Sequence, residues 1–79
     1  MASVTERVIE IVTETLGARE GSITATTGWE EAGADSLDVI EVVMALEQEF
    51  GVTITREQAV GIKTVGQLIE FVEREGVKI

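Results

Sequence analysis

The residues with the clearest chemical potential lie in the stretch GADSLDVIE, residues 33–41, where Ser36 stands between Asp35 and Asp38. A serine hydroxyl becomes a nucleophile when a neighbouring base, usually a histidine, accepts its proton. The chain has no histidine and no cysteine, and nothing in the sequence ties Lys63 or Lys78 to Ser36. These absences also exclude disulfides, a catalytic thiol, and thiolate or imidazole metal sites. We therefore predict no catalytic residue and no metal site.

Two roles remain for Ser36. As an N-cap, its oxygen would accept a backbone N–H bond at the start of a helix. Asp35 is an equally good cap, however, and Asp38 is placed to interact favourably with the helix dipole, so a serine is not required to begin the helix. The free N–H groups at a helix N-terminus would also favour a phosphate attached to Ser36. We interpret Ser36 as a site of modification.

Acidic side chains are concentrated around this serine. The chain has 15 acidic and 6 basic residues, a formal net charge of −9, and no basic residue lies between Arg19 and Arg56. Such a local field attracts basic partners and repels nucleic acid and anionic membranes. No apolar run reaches the length of a signal peptide or a membrane span. We therefore expect a cytoplasmic protein with basic partners, no nucleic acid and no membrane insertion.

The elements that position Ser36 begin with a first helix and a long loop. The capping box SVTE, residues 3–6, predicts the start of this helix, apolar residues continue it at helical spacing, and Gly17 predicts its end. Residues 18–34 are rich in Gly, Thr and Ser without a sustained period. We predict an ordered loop there, held by Ile23 and Trp29.

Three further segments complete the predicted fold. A second helix over 36–50, capped by Asp35 or Ser36, is closed by Gly51. The capping boxes TREQ and TVGQ predict a short helical turn over 55–60 and a last helix over 64–75. The sequence thus predicts an all-α single domain over residues 1–79, a small bundle of three main helices and one short helix.

The second helix carries apolar residues on two sides. At about 100° per residue, one broad arc forms the expected core face: Val39, Val42, Val43, Leu46 and Phe50. The roughly opposite side carries an apolar stripe made of Leu37, Ile40 and Met44. Burial of both faces is one interpretation. Because Glu41 and Glu47 edge the stripe, and unpaired carboxylates are costly to bury, we favour an exposed docking surface.

The stretch GADSLDVIEVVMALEQEFGVTI, residues 33–54, resembles the signature of the acyl carrier proteins of dissociated (type II) fatty acid synthesis, and the similarity extends from Glu6 to Val72. The resemblance implies an acyl-carrier-like bundle in which Ser36 is esterified by 4'-phosphopantetheine. A separate phosphopantetheinyl transferase would transfer this group from coenzyme A. Asp35 and Leu37 complete the matched motif. Acyl groups would then be carried as thioesters, and the chain would be a carrier and not an enzyme.

The resemblance also implies partners, because several acidic and apolar positions of the second helix match the partner-facing positions of the family. Together with the apolar stripe, they give the predicted partner-binding residues Leu37, Asp38, Ile40, Glu41, Met44 and Glu47. The expected partners are the phosphopantetheinyl transferase and acyl-transfer, condensing, reducing and dehydrating enzymes with basic docking patches. The carrier itself is expected to be a monomer.

Other functions fit parts of the same pattern. Carriers for polyketide, peptide or D-alanyl transfer would use the same prosthetic chemistry, although the acidity of the second helix favours fatty acyl or closely related polyketide work. A different class is a small acidic helical adaptor without modification, or a binder of divalent cations. The chain lacks a regular Asp-rich calcium loop with its glycine and closing glutamate, so a calcium sensor is a poor match.

Overall fold

The computed structural model describes residues 3–75. In chain order its elements are α1 Val4–Leu16, α2 Ser36–Phe50, α3 Arg56–Gly61 and α4 Val65–Glu75. This architecture confirms the predicted all-α bundle with a long loop between the first two helices. Across the described residues, the β pairing is limited to one isolated bridge between Gly28 and Thr64. No helix in residues 3–75 is long and apolar enough to cross a membrane.

Local capping explains where the helices begin and end. In α1, the Glu6 amide donates to Ser3 Oγ at 3.1 Å and the Ser3 amide donates to Glu6 Oε1 at 3.2 Å. The helix ends at Gly17, whose φ of 64° lies in the left-handed region that glycine adopts without a steric penalty. Thr55 and Gln58 make the same reciprocal pair at α3. These starts and the end of α1 follow the sequence prediction.

The core forms where α1 packs against α2 and α4. Seven side chains are fully buried there: Val8, Val12, Val42, Leu46, Val65, Leu68 and Val72. Ile23 and Trp29 of the long loop are buried with them, as the sequence predicted. Val39 and Phe50 are only half-buried, so the core face of α2 is narrower than predicted. Val39 lines a cleft described below.

The long loop is fixed to the start of α4 by backbone hydrogen bonds. The Val65 amide donates to the Thr27 carbonyl at 3.0 Å, and the Gly66 amide donates to the Ala25 carbonyl at 2.7 Å. These amides belong to the first turn of a helix, where no intrahelical acceptor exists. A Cβ on residue 66 would lie 2.7 Å from the Ala25 oxygen, so this approach requires glycine.

The predicted capping box of α4 forms only in part. The Gln67 amide donates to Thr64 Oγ1 at 3.2 Å, as expected. The Gln67 side chain, however, accepts from the Lys63 amide at 2.5 Å instead of from Thr64. The loop carbonyls therefore share the capping of α4 with its own side chains, an arrangement that the local sequence did not indicate.

An ion pair joins α1 to the last turn of α2. Arg7 Nε and Nη2 donate to the two carboxylate oxygens of Glu49 at 3.0 and 3.1 Å. Arg7 also pairs with Glu10. The hydrogen bond from Arg7 lowers the pKa of Glu49 below its ordinary value, and the nearby positive charge acts in the same direction. The bidentate pair therefore links the two helices at the surface.

Candidate functional site

Asp35, and not Ser36, caps α2. The Asp38 amide donates to Asp35 Oδ1 at 2.9 Å, and the Asp35 amide donates to Asp38 Oδ2 at 3.2 Å. Ser36 is therefore the first residue inside the helix, and its side chain is exposed. Within residues 3–75, no hydrogen bond engages the Ser36 hydroxyl. Because Asp35 caps α2 without this serine, the Ser36 oxygen is available for other chemistry.

The helix that follows Ser36 has one buried face and one exposed face. Val42 and Leu46 are fully buried. On the other side, Leu37, Ile40 and Met44 expose 68%, 50% and 54% of their surface. The apolar stripe is thus on the molecular surface, where the sequence analysis expected it. Exposed apolar side chains in one line are typical of a surface that a partner covers.

The three acidic side chains predicted to face partners differ in what they contact. Asp38 is half-buried in the capping box. Glu47 is half-buried as well, and its Oε2 accepts from the Ile54 amide at 3.0 Å. Glu41 is exposed and makes no ion pair with the described residues. Glu41 is therefore the carboxylate that stands free beside the stripe, whereas Asp38 and Glu47 also stabilise the fold.

A cleft of about 1050 Å³ opens beside Ser36, between α2 and the segment that contains α3. Apolar side chains from α2, from the long loop and from both ends of that segment line much of it. The lining includes Ser36, Trp29, Val39, Val43, Ile54 and Ile62. Ser36, Trp29, Val39 and Val43 stand out in the sequence, but nothing in the local pattern indicated that they would border one cleft.

The segment 54–62 runs back along α2, so the two ends of the cleft can be distinguished. Its first end is fixed by the bond from the Ile54 amide to Glu47, in the last turns of α2. Its other end lies at Trp29, whose carbonyl accepts from the Ala34 amide at 2.9 Å just before α2 begins. At about 1.5 Å per residue, Glu47 lies roughly 16 Å along α2 from Ser36. The end at Trp29 is the one near Ser36.

Trp29 makes two bonds to the end of this segment. Its indole Nε1 donates to the Ile62 carbonyl at 3.0 Å, and its backbone amide donates to the Lys63 carbonyl at 3.3 Å. Trp29 is buried, and a buried indole N–H requires an acceptor. The sequence predicted Trp29 as a loop anchor but gave no signal for Ile62 as its acceptor, since the two residues lie 33 positions apart.

The part of the chain that contains the exposed serine, the start of α2 and the adjacent cleft matches a known protein family. The family described as "Phosphopantetheine attachment site" matches residues 6–72. The chain belongs to the acyl carrier protein family. Domains of this family are attachment sites for covalent 4'-phosphopantetheine, and these proteins are carriers and not catalysts. The predictions of the family, the prosthetic group and the absence of catalysis are thereby confirmed.

Solved acyl carrier proteins share the fold. An acyl carrier protein from Thermotoga maritima is 33% identical with a TM-score of 0.76, covering 87% of this chain and 81% of that chain. The acetyl actinorhodin acyl carrier protein from Streptomyces coelicolor is 25% identical with a TM-score of 0.74, covering 94% and 93%. The oxytetracycline acyl carrier protein, 22% identical with a TM-score of 0.67 over 89% and 77%, is similar in fold.

The residues of this acyl carrier protein fit the prosthetic group. The Ser36 oxygen is exposed and makes no hydrogen bond within the described residues, so no contact of the fold is lost when it is esterified. A phosphate at this position would lie at the N-terminal end of a 15-residue helix, where the helix dipole favours negative charge. Membership in the family implies interaction with a phosphopantetheinyl transferase and with acyl-handling enzymes.

Proposed function

We propose that Ser36 carries the 4'-phosphopantetheine arm and that the protein presents acyl chains on this arm, as thioesters, to enzymes of type II fatty acid synthesis. The observation that carries the proposal is the exposed Ser36 hydroxyl, left without an intrachain bond because Asp35 caps the helix. The thiol that the chain lacks arrives with the arm. Thioester chemistry is therefore compatible with a sequence that contains no cysteine.

Attachment of the arm is a phosphoryl transfer catalysed by the separate transferase. The Ser36 oxygen forms a new bond to the phosphorus next to the pantetheine half of coenzyme A. The bond from that phosphorus to the bridging oxygen breaks, and adenosine bisphosphate leaves with the bond electrons. The hydroxyl proton passes to a base of the transferase, since this chain offers no histidine for the step.

The proposed partner surface is the apolar stripe together with Glu41. A partner that covers Leu37, Ile40 and Met44 removes apolar surface from water, while Glu41 meets an Arg or Lys at the rim. Basic docking patches on the transferase and on the acyl-transfer, condensing, reducing and dehydrating enzymes would match the excess negative charge of the chain. We further propose a cytoplasmic monomer that forms one carrier domain.

The apolar cleft next to Ser36 supports a second part of the proposal, namely that the cargo chain folds back against the protein. Val39 and Val43 form its α2 wall, and Ile54 and Ile62 come from the opposite side. An acyl chain placed there would bury its methylene groups at a gain of about 0.8 kcal/mol each. A flexible arm attached to Ser36 starts at one end of the cleft.

A polyketide or another specialised acyl pathway is the alternative within the same family. It is favoured by the similarity to the acetyl actinorhodin acyl carrier protein over 94% of this chain. Fatty acid enzymes would extend and fully reduce the cargo, whereas polyketide condensing enzymes would extend it without full reduction. Incubation of the loaded carrier with each enzyme set, followed by mass analysis of the cargo, separates the two. Extension by the polyketide set alone would replace the fatty acid assignment.

The attachment site is tested by the intact mass of the protein after incubation with coenzyme A, Mg²⁺ and a broad-specificity phosphopantetheinyl transferase. The wild type should gain one prosthetic group. Ser36→Ala should keep the helical circular dichroism spectrum, because Asp35 still caps α2, and should gain nothing. Ser22→Ala is the matched control, since Ser22 is also an exposed serine but belongs to the long loop. It should be modified like the wild type.

Two outcomes of this experiment would contradict the proposal. A modified Ser36→Ala protein would move the attachment site to another residue. A wild type that stays unmodified would overturn the carrier function and favour the unmodified acidic adaptor.

A further inference from the structure

The segment that contains α3 is the least firmly packed wall of the cleft. None of the residues of α3, Arg56–Gly61, is buried. Ile54 and Ile62, which flank the helix on either side, are buried instead. The position of this wall therefore depends on the contacts at its two ends. One end is bonded to Glu47 through the Ile54 amide, and the other accepts the indole N–H of Trp29 at Ile62.

The hydrogen bond from the Trp29 indole to the Ile62 carbonyl gives each of these two polar groups a partner. Ile62 follows the last residue of α3, in a region where helix carbonyls have no intrahelical donor. The Trp29 indole is buried and needs an acceptor for its N–H. Loss of the N–H would leave the Ile62 carbonyl without this donor, at the end of the cleft near Ser36. The bond from Ile54 to Glu47 at the far end would remain.

We propose that Trp29 is a positioning residue in the wall of the cleft, where its indole N–H fixes the C-terminal end of α3 and thereby limits exchange of the acyl chain between the cleft and solvent. This inference rests on the proposed function, because it assumes a chain attached at Ser36. It assigns to Trp29 a role that loop packing alone would not require. A ring without the N–H would still fill the same space.

The test measures how well the cleft shields the thioester. The transferase loads the protein from acetyl or octanoyl coenzyme A, and hydroxylamine then cleaves the thioester at a rate followed by intact mass. The acetyl group has a single methyl group to bury, so it gains little from the cleft and reports mainly the reactivity of the arm itself. In the wild type, the octanoyl thioester should be cleaved more slowly than the acetyl thioester.

Two replacements remove the indole N–H. Trp29→Phe keeps an aromatic ring, and benzothienylalanine at position 29 keeps the fused ring while sulfur replaces the N–H. Both should raise the octanoyl cleavage rate roughly 2- to 10-fold, the population change expected when one hydrogen bond of ordinary strength is lost. Both should leave the acetyl rate unchanged. Ile23→Val is the packing control, since Ile23 is buried in the same loop but does not line this cleft.

A second readout uses the wild type alone. Trp29 is the single tryptophan of the chain, so its fluorescence reports this position without ambiguity. The emission should differ between the octanoyl-loaded and the unloaded carrier, and the acetyl-loaded carrier should resemble the unloaded one.

The outcomes distinguish this inference from the proposed function. An octanoyl rate that stays at the wild-type value in the benzothienylalanine protein overturns the role of the N–H. Equal increases for both acyl groups, or an equal effect of Ile23→Val, assign Trp29 to general packing and also overturn it. If wild-type acetyl and octanoyl thioesters react alike, the inference fails while Ser36 remains the attachment site. Failure of the wild type to load overturns both.

Discussion

Met44 and Leu46 provide a matched test of the two faces of α2. The residues lie two positions apart, have similar size, and differ in that Met44 is 54% exposed while Leu46 is fully buried. Leu46→Ala should lower the free energy of unfolding by about 2 to 5 kcal/mol, the usual cost of such a change in a core. Met44→Ala should cost at most about 1 kcal/mol, because roughly half of its burial is already absent.

These energies translate into melting temperatures that are easy to separate. For a domain of this size, 1 kcal/mol shifts the melting temperature by about 4 to 8 °C. Leu46→Ala should therefore lower it by at least about 8 °C. The total stability of a domain of this size is roughly 4 to 12 kcal/mol, so the variant stays folded at low temperature when the loss is smaller than that total. Urea titration gives the same comparison without heating.

The effects of the two substitutions on partner docking should have the reverse order: Met44→Ala should weaken docking more than Leu46→Ala. If a partner buries the exposed half of Met44, its truncation loses about 1 kcal/mol of association, or roughly five-fold in kcat/KM of the phosphopantetheinyl transferase. Leu46→Ala should leave this value unchanged per folded molecule. An equal loss of stability in both variants, with unaltered loading by Met44→Ala, would show that the apolar stripe belongs to the core and refute the two-sided description of α2.

Three further predictions concern charge and packing. Glu41→Lys should raise the KM of the transferase at low ionic strength and lose this effect in high salt, because exposed charges act mainly on association rates. Glu49→Gln should be less stable than the wild type at neutral pH, and urea titrations should show the difference shrinking below the ordinary glutamate pKa of about 4.3. Gly66→Ala should lower the free energy of unfolding by about 1 to 3 kcal/mol, because its Cβ would meet the Ala25 oxygen at 2.7 Å, whereas Gly61→Ala has open space and should cost little.

The sign of the pH effect follows from the ion pair. Arg7 lowers the pKa of Glu49, so the carboxylate stabilises the fold at pH values above its unfolded pKa and loses this contribution as the pH falls through the lowered folded value. Glu70→Gln is the control, because Glu70 is exposed and forms no ion pair with the described residues. A stability difference for Glu49→Gln that is constant with pH would contradict the role of the pair. Salt-independent loading by Glu41→Lys would place the recognition surface elsewhere.

The features predicted from sequence are those with local causes. Helix starts depend on side chains three residues apart, as in the pair of Ser3 and Glu6, and such pairs can be found by inspection. The two faces of α2 follow from the period of the helix, which placed Leu37 and Met44 outside and Leu46 inside. Ser36, the proposed attachment site, could be singled out because its motif is compact.

The features that the sequence did not reveal depend on hydrogen-bond partners that are distant in sequence or that compete with the expected ones. Glu47 was assigned to the partner surface because its position along the helix edges the stripe, but its carboxylate also accepts the Ile54 amide beyond the end of α2. Gln67 accepts from Lys63 instead of completing the expected pair with Thr64. Helical periodicity describes the direction of a side chain, and it contains no information about backbone donors that a later turn brings into reach.

The hydrogen bonds between the long loop and α4 affect the order in which the chain assembles. The Gly66 amide reaches back to Ala25, so about half of the chain must be closed into a loop before this contact forms. Closing such a long loop carries an entropy cost before the contact is made, whereas the hydrogen bonds within α1 and α2 join neighbouring residues, so we expect the Gly66 contact to form after these helices. Refolding with pulsed amide labelling should therefore protect Val65 and Gly66 after the middle of α2. A fragment that stops before Val65 would keep the bonds from Trp29 to Ile62 and Lys63 but lose those from Val65 and Gly66 to the long loop, so we expect this loop to be less firmly held in it.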